Sequence, residues 1–116
     1  MKKAILVLLL AALPFVAAAA DAKTKFLAVY SLVHGTPDQL TPEQIAVLQQ
    51  HAAYLRLLAE KGVIVWAGRT NNPSQPRGYA EIVGTESEAK EYAANDPAVK
   101  AGIFQCIVES FTEVVH

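Results

Sequence analysis

From Lys25 to Val33 the chain reads KFLAVYSLV, a run rich in β-branched and aromatic residues with no breaker. Such a run predicts a β-strand. His34-Gly35 and the polar TPDQL segment end it. TPEQ (Thr41–Gln44) then matches a capping box, with Thr41 as N-cap, Pro42 at the first helical position and Gln44 reaching back. The apolar residues that follow recur with a helical period, and this helix is expected to stop at Gly62, with Lys61 complementing its dipole. VIVWAGRT (Val63–Thr70) predicts a second strand, NNPSQP (Asn71–Pro76) a turn-rich loop, and RGYAEIVG (Arg77–Gly84) a third strand, forming a hairpin. TESE (Thr85–Glu88) repeats the capping-box pattern and opens a shorter helix to about Asn95. Asp96-Pro97 breaks it, because the residue before proline resists helical angles. One further turn fits PAVKAG, and a last strand is expected from Ile103 to Val115. The order is β-α-β-β-α-β: an α+β, ferredoxin-like arrangement, with a four-stranded antiparallel sheet and both helices on one face.

An antiparallel sheet with one wet face alternates apolar and polar residues. Here Phe26 to Tyr30 are consecutively apolar or aromatic, and so is VIVWA. Helices cover one face, so an apolar surface is expected on the other. In a chain this small a second copy of the same sheet is the economical cover, which predicts a homodimer through the sheet faces.

Residues 1–20, MKKAILVLLLAALPFVAAAA, combine a basic start, a short apolar run and small residues before Asp21. This order predicts a secretory signal peptide cut near Ala20–Asp21 and delivery to a bacterial periplasm. The remaining 96 residues make one domain, with its elements between residues 24 and 115, and no other stretch is suited to crossing a bilayer. Without Lys2 and Lys3 the 10 basic residues fall to 8 against 11 acidic ones, a net charge of −3. Mild acidity without a basic patch argues against nucleic acid as a partner. The lone Cys106 lacks an internal disulfide partner and is expected to be buried in the apolar run Ile103–Val108.

Within the long helix, at about 100° per residue, Leu48, Ala52, Leu55, Leu58 and Ala59 share the inward sector, and Gln49, Gln50, Arg56 and Glu60 face solvent. His51 falls at the edge of the inward sector, with Tyr54 its neighbour three positions on. Two readings remain open. The imidazole is a structural group bonded to a nearby acceptor, or it is a general acid or base reaching a cleft between helix and sheet. Asp96 poses the same choice: N-cap of the turn at Pro97, or acceptor for a ring N–H of His51 that fixes its tautomer. Arg69 and Arg77 flank the hairpin loop, where an anionic ligand would meet them. Tyr30, Trp66, Tyr79 and Phe104 are core candidates that also suit an aromatic pocket. The three histidines show no metal-ligand spacing, and phosphate-loop, Gly-x-Ser-x-Gly and Cys-x-x-Cys patterns do not occur.

LQQHAAYLRLLAEKGVIVWAG, RGYAEI and TESEAKEYAANDPAVKAGIF together resemble the YCII-related (YciI-like) family, over about Phe26 to Phe111. The most specific part is a mid-helix histidine, here His51, paired with a downstream Asp-Pro-x-x-x-x-Gly, here DPAVKAG. The resemblance implies a dimeric α+β barrel and an enzyme with a His–Asp pair, His51 and Asp96, as its active site. Assigned chemistry among such proteins includes dehydrochlorination of a chlorinated hydroxyhydroquinone. The related barrels include muconolactone isomerases and haem-degrading or quinol-oxidising monooxygenases. Gly68-Arg69 stands where the family usually has Gly-Pro, Gln50-His51-Ala52 where exported relatives carry Gly-His-Met, and Ser110-Phe111 near their His-Pro-Trp.

The resulting expectation is a small exported enzyme without cofactor or metal. His51 and Asp96 would transfer a proton on a small cyclic or phenolic substrate, in elimination, isomerisation or lactone chemistry. Tyr54, Trp66 and Arg69 are the expected substrate-binding residues. The competing expectation is a non-catalytic periplasmic module that holds a small ligand or haem.

Overall fold

The computed structural model describes residues 23–116, so the leader expected over residues 1–20 lies outside the described residues. Four strands, β1 (Thr24–Leu32), β2 (Ile64–Arg69), β3 (Arg77–Gly84) and β4 (Phe104–Ser110), form one sheet in the order β2-β3-β1-β4. All three pairings are antiparallel. The helices are α1 (Pro42–Glu60), α2 (Glu86–Ala94) and the single turn α3 (Pro97–Lys100), with a 3₁₀ turn at Pro37–Gln39.

Local chemistry sets most boundaries. Thr41 and Thr85 each accept a hydrogen bond from the backbone three residues on, while Gln44 and Glu88 return the bond to the capping residue. Both boxes therefore satisfy amides that a helix start leaves unpaired. Gly62 follows α1 at φ +77, a left-handed turn that glycine adopts without a Cβ penalty. In the hairpin loop, Asn72 Oδ1 accepts from the Ser74 amide and hydroxyl at 3.1 and 2.8 Å, and Thr70 N donates to Arg77 O at 2.8 Å.

Strand alternation divides the sheet. Phe26, Ala28 and Tyr30 face the helices, opposite Ile82, Ala80 and Gly78 of β3 and Ser110, Val108 and Cys106 of β4. Phe26, Ala28, Tyr30, Ala80 and Ile82 build the core with Ile64, Leu58 and Ala89, and Cys106 and Val108 pack against it. Ala28, Ala80 and Ala89 are wholly buried, and side chains this small let α2 lie close to the sheet. The long helix behaves differently: α1 packs closely on α3 and β2, and it reaches β1 only through side chains such as His51. Leu58 is its one buried residue, Leu48, Ala52 and Leu55 are half-buried, and Ala59, expected inward, is exposed. A wedge of space remains between α1 and the sheet.

Two further expectations change. β4 stops at Ser110 rather than Val115, close to the limit set by β1, whose first residue Thr24 lies two positions beyond Phe26, the partner of Ser110. The last rung is Phe111 N donating to Lys25 O at 2.9 Å. Cys106 is half-buried rather than sealed, at the edge of a smaller cavity of about 300 Å³ shared with Val99 and Val108.

Candidate functional site

His51 sits midway along α1, and Asp96 occupies the link between α2 and α3. Packing of α3 against α1 brings together two side chains 45 positions apart. The residue before a proline takes extended angles, and Asp96 does so at φ −63, ψ 130. That geometry turns its carboxylate back over α3. Oδ1 accepts the Ala98 amide at 2.8 Å, and Oδ2 lies 2.6 Å from His51 Nδ1. The two roles posed by the sequence do not compete, since each takes one oxygen. Asp96 is wholly buried, whereas the His51 side chain keeps 14 % of its surface exposed.

The contact defines the tautomer. A carboxylate accepts, so Nδ1 carries the hydrogen, and in the neutral ring Nε2 holds the lone pair. Nε2 bonds to no other described residue and is not among the sealed polar atoms. Tyr30 and Phe104 clamp the ring edge-on, with centroids at 5.2 and 5.1 Å and interplanar angles of 71° and 84°. The imidazole is thus held on three sides and open on the fourth.

The open side is the wedge between α1 and the sheet, a cavity of about 470 Å³. Leu48, Ala52 and Leu55 form its helix wall, Tyr30 and Phe104 its floor, and Pro37 and Leu40 of the 3₁₀ segment one rim. This volume and this largely hydrocarbon lining suit a small organic molecule. Burial pushes the Tyr30 hydroxyl far above the ordinary phenol range, with Cys106 and Asp96 adding to it. The Cys106 thiol is pushed up to about 11, chiefly by burial, against a hydrogen bond from Tyr30 that lowers it. Neither group supplies an anion near neutral pH.

Of the residues singled out from sequence, His51, Asp96 and Arg69 converge here: His51 and Arg69 line the cavity, and Asp96 stands behind the ring. Tyr54 and Trp66 are placed elsewhere. The Tyr54 hydroxyl donates to Tyr92 O at 2.8 Å, tying α1 to α2, and burial raises its ionisation above the usual range, with Asp96 adding. Trp66 pairs with Glu81 on the opposite sheet face, where its indole N–H donates to Glu81 Oε1 at 3.3 Å. Leu40, Pro37 and Gly78 line the cavity without having been noticed in the sequence. Gly78 was accessible by strand parity, being two positions from the inward Ala80. The 3₁₀ segment carries no periodic signal. Among the described residues no group of three His, Cys, Asp or Glu is placed to hold a metal ion, and no helix is long and apolar enough to cross a membrane.

No curated protein matches the chain. Similar solved structures include 5-chloro-2-hydroxyhydroquinone dehydrochlorinase from Burkholderia phenoliruptrix, in complex with 2,5-dihydroxybenzoquinone, at 21% identity and TM-score 0.49, covering 75% of this chain and 93% of that one. Another is a dimeric protein of unknown function and ferredoxin-like fold from Bacteroides fragilis, at 17% identity and TM-score 0.43, covering 75% and 96%. The model of the YCII-related domain matches residues 28–112, a span that holds His51, Asp96 and the whole cavity floor. The chain belongs to the YCII-related family.

Proposed function

We propose that this protein is a small enzyme that moves a proton on a small cyclic or phenolic molecule held in the α1–sheet cavity. His51 Nε2 takes or returns the proton, and Asp96 is a positioning residue that holds the ring and its tautomer. The observation that carries the reading is the 2.6 Å contact between His51 Nδ1 and a wholly buried carboxylate, with Nε2 unpaired among the described residues and the ring lining the cavity. A general base needs a lone pair aimed at the substrate and a ring that does not rotate away, and this arrangement supports both. As Nε2 gains the proton, the positive imidazolium lies against the Asp96 carboxylate, which stabilises the charge that develops.

The test is proton exchange with D₂O on a panel of phenols, quinols and unsaturated lactones, followed by NMR. Wild type is expected to accelerate exchange on at least one of these. His51→Ala loses at least ~100-fold of that rate, and so does His51→Gln, which keeps an N–H donor for Asp96 but has no titrating nitrogen. Exchange at the wild-type rate in a folded His51→Gln protein sinks the reading. Saturable binding without exchange instead describes a module that only holds a ligand, and a Soret band dependent on His51 identifies that ligand as haem.

Two other features belong to the same reading. The protein works as a homodimer through its open sheet face, supported by the apolar residues that face exposes. It works in the periplasm after loss of residues 1–20, supported by the leader pattern. Protein recovered from the periplasmic fraction is then expected to begin near Asp21, and a chain still beginning at Met1 overturns export.

A further inference from the structure

The cavity has a charge polarity of its own. The chain as a whole is slightly acidic, with net charge −1, yet no Asp or Glu lines this cavity. Its charged lining residues besides His51 are Arg69 and Arg77. Strand alternation separates the two. Arg69 lies two positions beyond Ala67, which pairs with the wholly buried Ala80, so its side chain projects from the helix-bearing face. Arg77 pairs with Ser31 on the opposite parity, at the mouth of the hairpin loop, and meets the cavity only at its rim. Arg69 is exposed and makes no ion pair with a described residue.

Arg69, Gly78 and Tyr30 form one lateral row across β2, β3 and β1. The His51 ring stands on Tyr30 at one end of this row, and the guanidinium starts from the other. Two strand spacings separate the ends, about 10 Å. The middle position has no side chain. A Cβ built on Gly78 would rest in ordinary contact on Tyr30, at 3.5 Å, so the glycine keeps the floor low without being a forced close approach. A single six-membered ring spans this gap when a short acidic group reaches toward Arg69. The fork of N–H donors on a guanidinium matches a carboxylate, and Arg69 has no ion-pair partner among the described residues to compete for it.

We infer that the cavity selects a small organic monoanion, one planar ring bearing a carboxylate, seated over Gly78 with the carboxylate on Arg69 and the far edge of the ring at His51. This rests on the proton-transfer reading only for which edge reacts. Arg69 is then the specificity-determining residue of the site.

The experiment is NMR titration of the protein with benzoate and with benzamide, two probes of matched shape that differ in charge. Wild type is expected to bind benzoate about tenfold more tightly, and Arg69→Gln to erase that preference while leaving benzamide affinity within about twofold. Arg56→Gln keeps the preference, because Arg56 is exposed on α1 and does not line the cavity. Gly78→Ala, whose added Cβ has ordinary contact space, raises the floor and weakens binding of both probes while the protein stays folded by circular dichroism. Equal affinity for the two probes in wild type, no binding of either, or a preference that survives Arg69→Gln overturns the inference. Binding that follows this pattern while proton exchange persists in His51→Gln overturns the proton-transfer reading alone.

Discussion

At the scale of single residues, Asp96 does the work of two side chains. It caps α3 through Oδ1 and holds His51 through Oδ2. Losing a cap costs about 0.5–2 kcal/mol, and leaving a partly buried N–H unpaired costs about 1–3 kcal/mol, so Asp96→Ala is expected to destabilise by about 2–4 kcal/mol. Asp96→Asn keeps an oxygen for the cap and loses less. Urea unfolding midpoints order the two, and equal losses would show that the cap contributes nothing. Cys106 carries a second expectation. Its folded thiol is raised from 9.0 to about 11, so its contribution to stability is complete below pH 9 and disappears as pH rises through about 11. The thiol is only half-buried, so solvent screening reduces the effect to about 1 kcal/mol. Unfolding midpoints measured at pH 8, 9, 10 and 11 are therefore expected to fall more steeply in wild type than in Cys106→Ala. Parallel curves would contradict the assignment.

At the scale of elements, the contrast between the two long helices creates the site. Ala89 of α2 joins the core cluster with Ala28 and Ala80 of the sheet, whereas α1 leans on α3 and β2 and leaves its middle turns over open space. The His51 ring enters that space because it sits at the edge of the inward sector, where its stem is covered and its tip is not. The end of α1 depends on Gly62. No atom lies within 4 Å of a Cβ built there, so Gly62→Ala meets no clash, and its cost is the left-handed φ alone. The expected loss is about 1 kcal/mol, read as a lower melting temperature, with His51 chemistry unchanged. No loss would mean that the chain end relaxes out of the left-handed turn. In β3, Glu81 is the exception to strand alternation as a guide to exposure. It leaves from the face opposite the helices yet is 1 % exposed, covered by Trp66, and its Oε2 has only Lys25 Nζ at 3.9 Å.

For the whole molecule, the open sheet face decides the expected assembly. Leu27 and Val29 are half-buried there, and Trp66 and Ile107 remain 45 % and 56 % exposed. A single chain this small buries a limited fraction of its surface, and covering a second apolar face adds to stability. Ile107→Lys changes a residue that is open in one chain, so the monomer fold tolerates it, but a second copy would bury the charge. Sedimentation equilibrium is expected to give twice the chain mass for wild type and the single-chain mass for Ile107→Lys, with an unchanged circular dichroism spectrum. A wild-type protein that sediments as one chain at every concentration removes the dimer.

Features read correctly from the chain are those whose physics is local. The capping boxes at Thr41 and Thr85, the stop at Gly62 and the break at Asp96-Pro97 depend on hydrogen bonds and dihedral limits within four residues. The β-α-β-β-α-β order follows from where these signals fall. The inward angle of His51 is likewise a matter of helical period. What the linear order could not contain is distance between elements. The end of β4 depends on where its neighbour β1 begins, the exposure of Ala59 on how α1 leans, and the burial of Glu81 on Trp66 in the next strand. The bond between His51 and Asp96 exists because α3 packs on α1, and the cavity because the backbone of α1 stays off β1 and reaches it only through side chains such as His51. Each of these is set by contacts across tens of residues, where packing rather than propensity selects the arrangement.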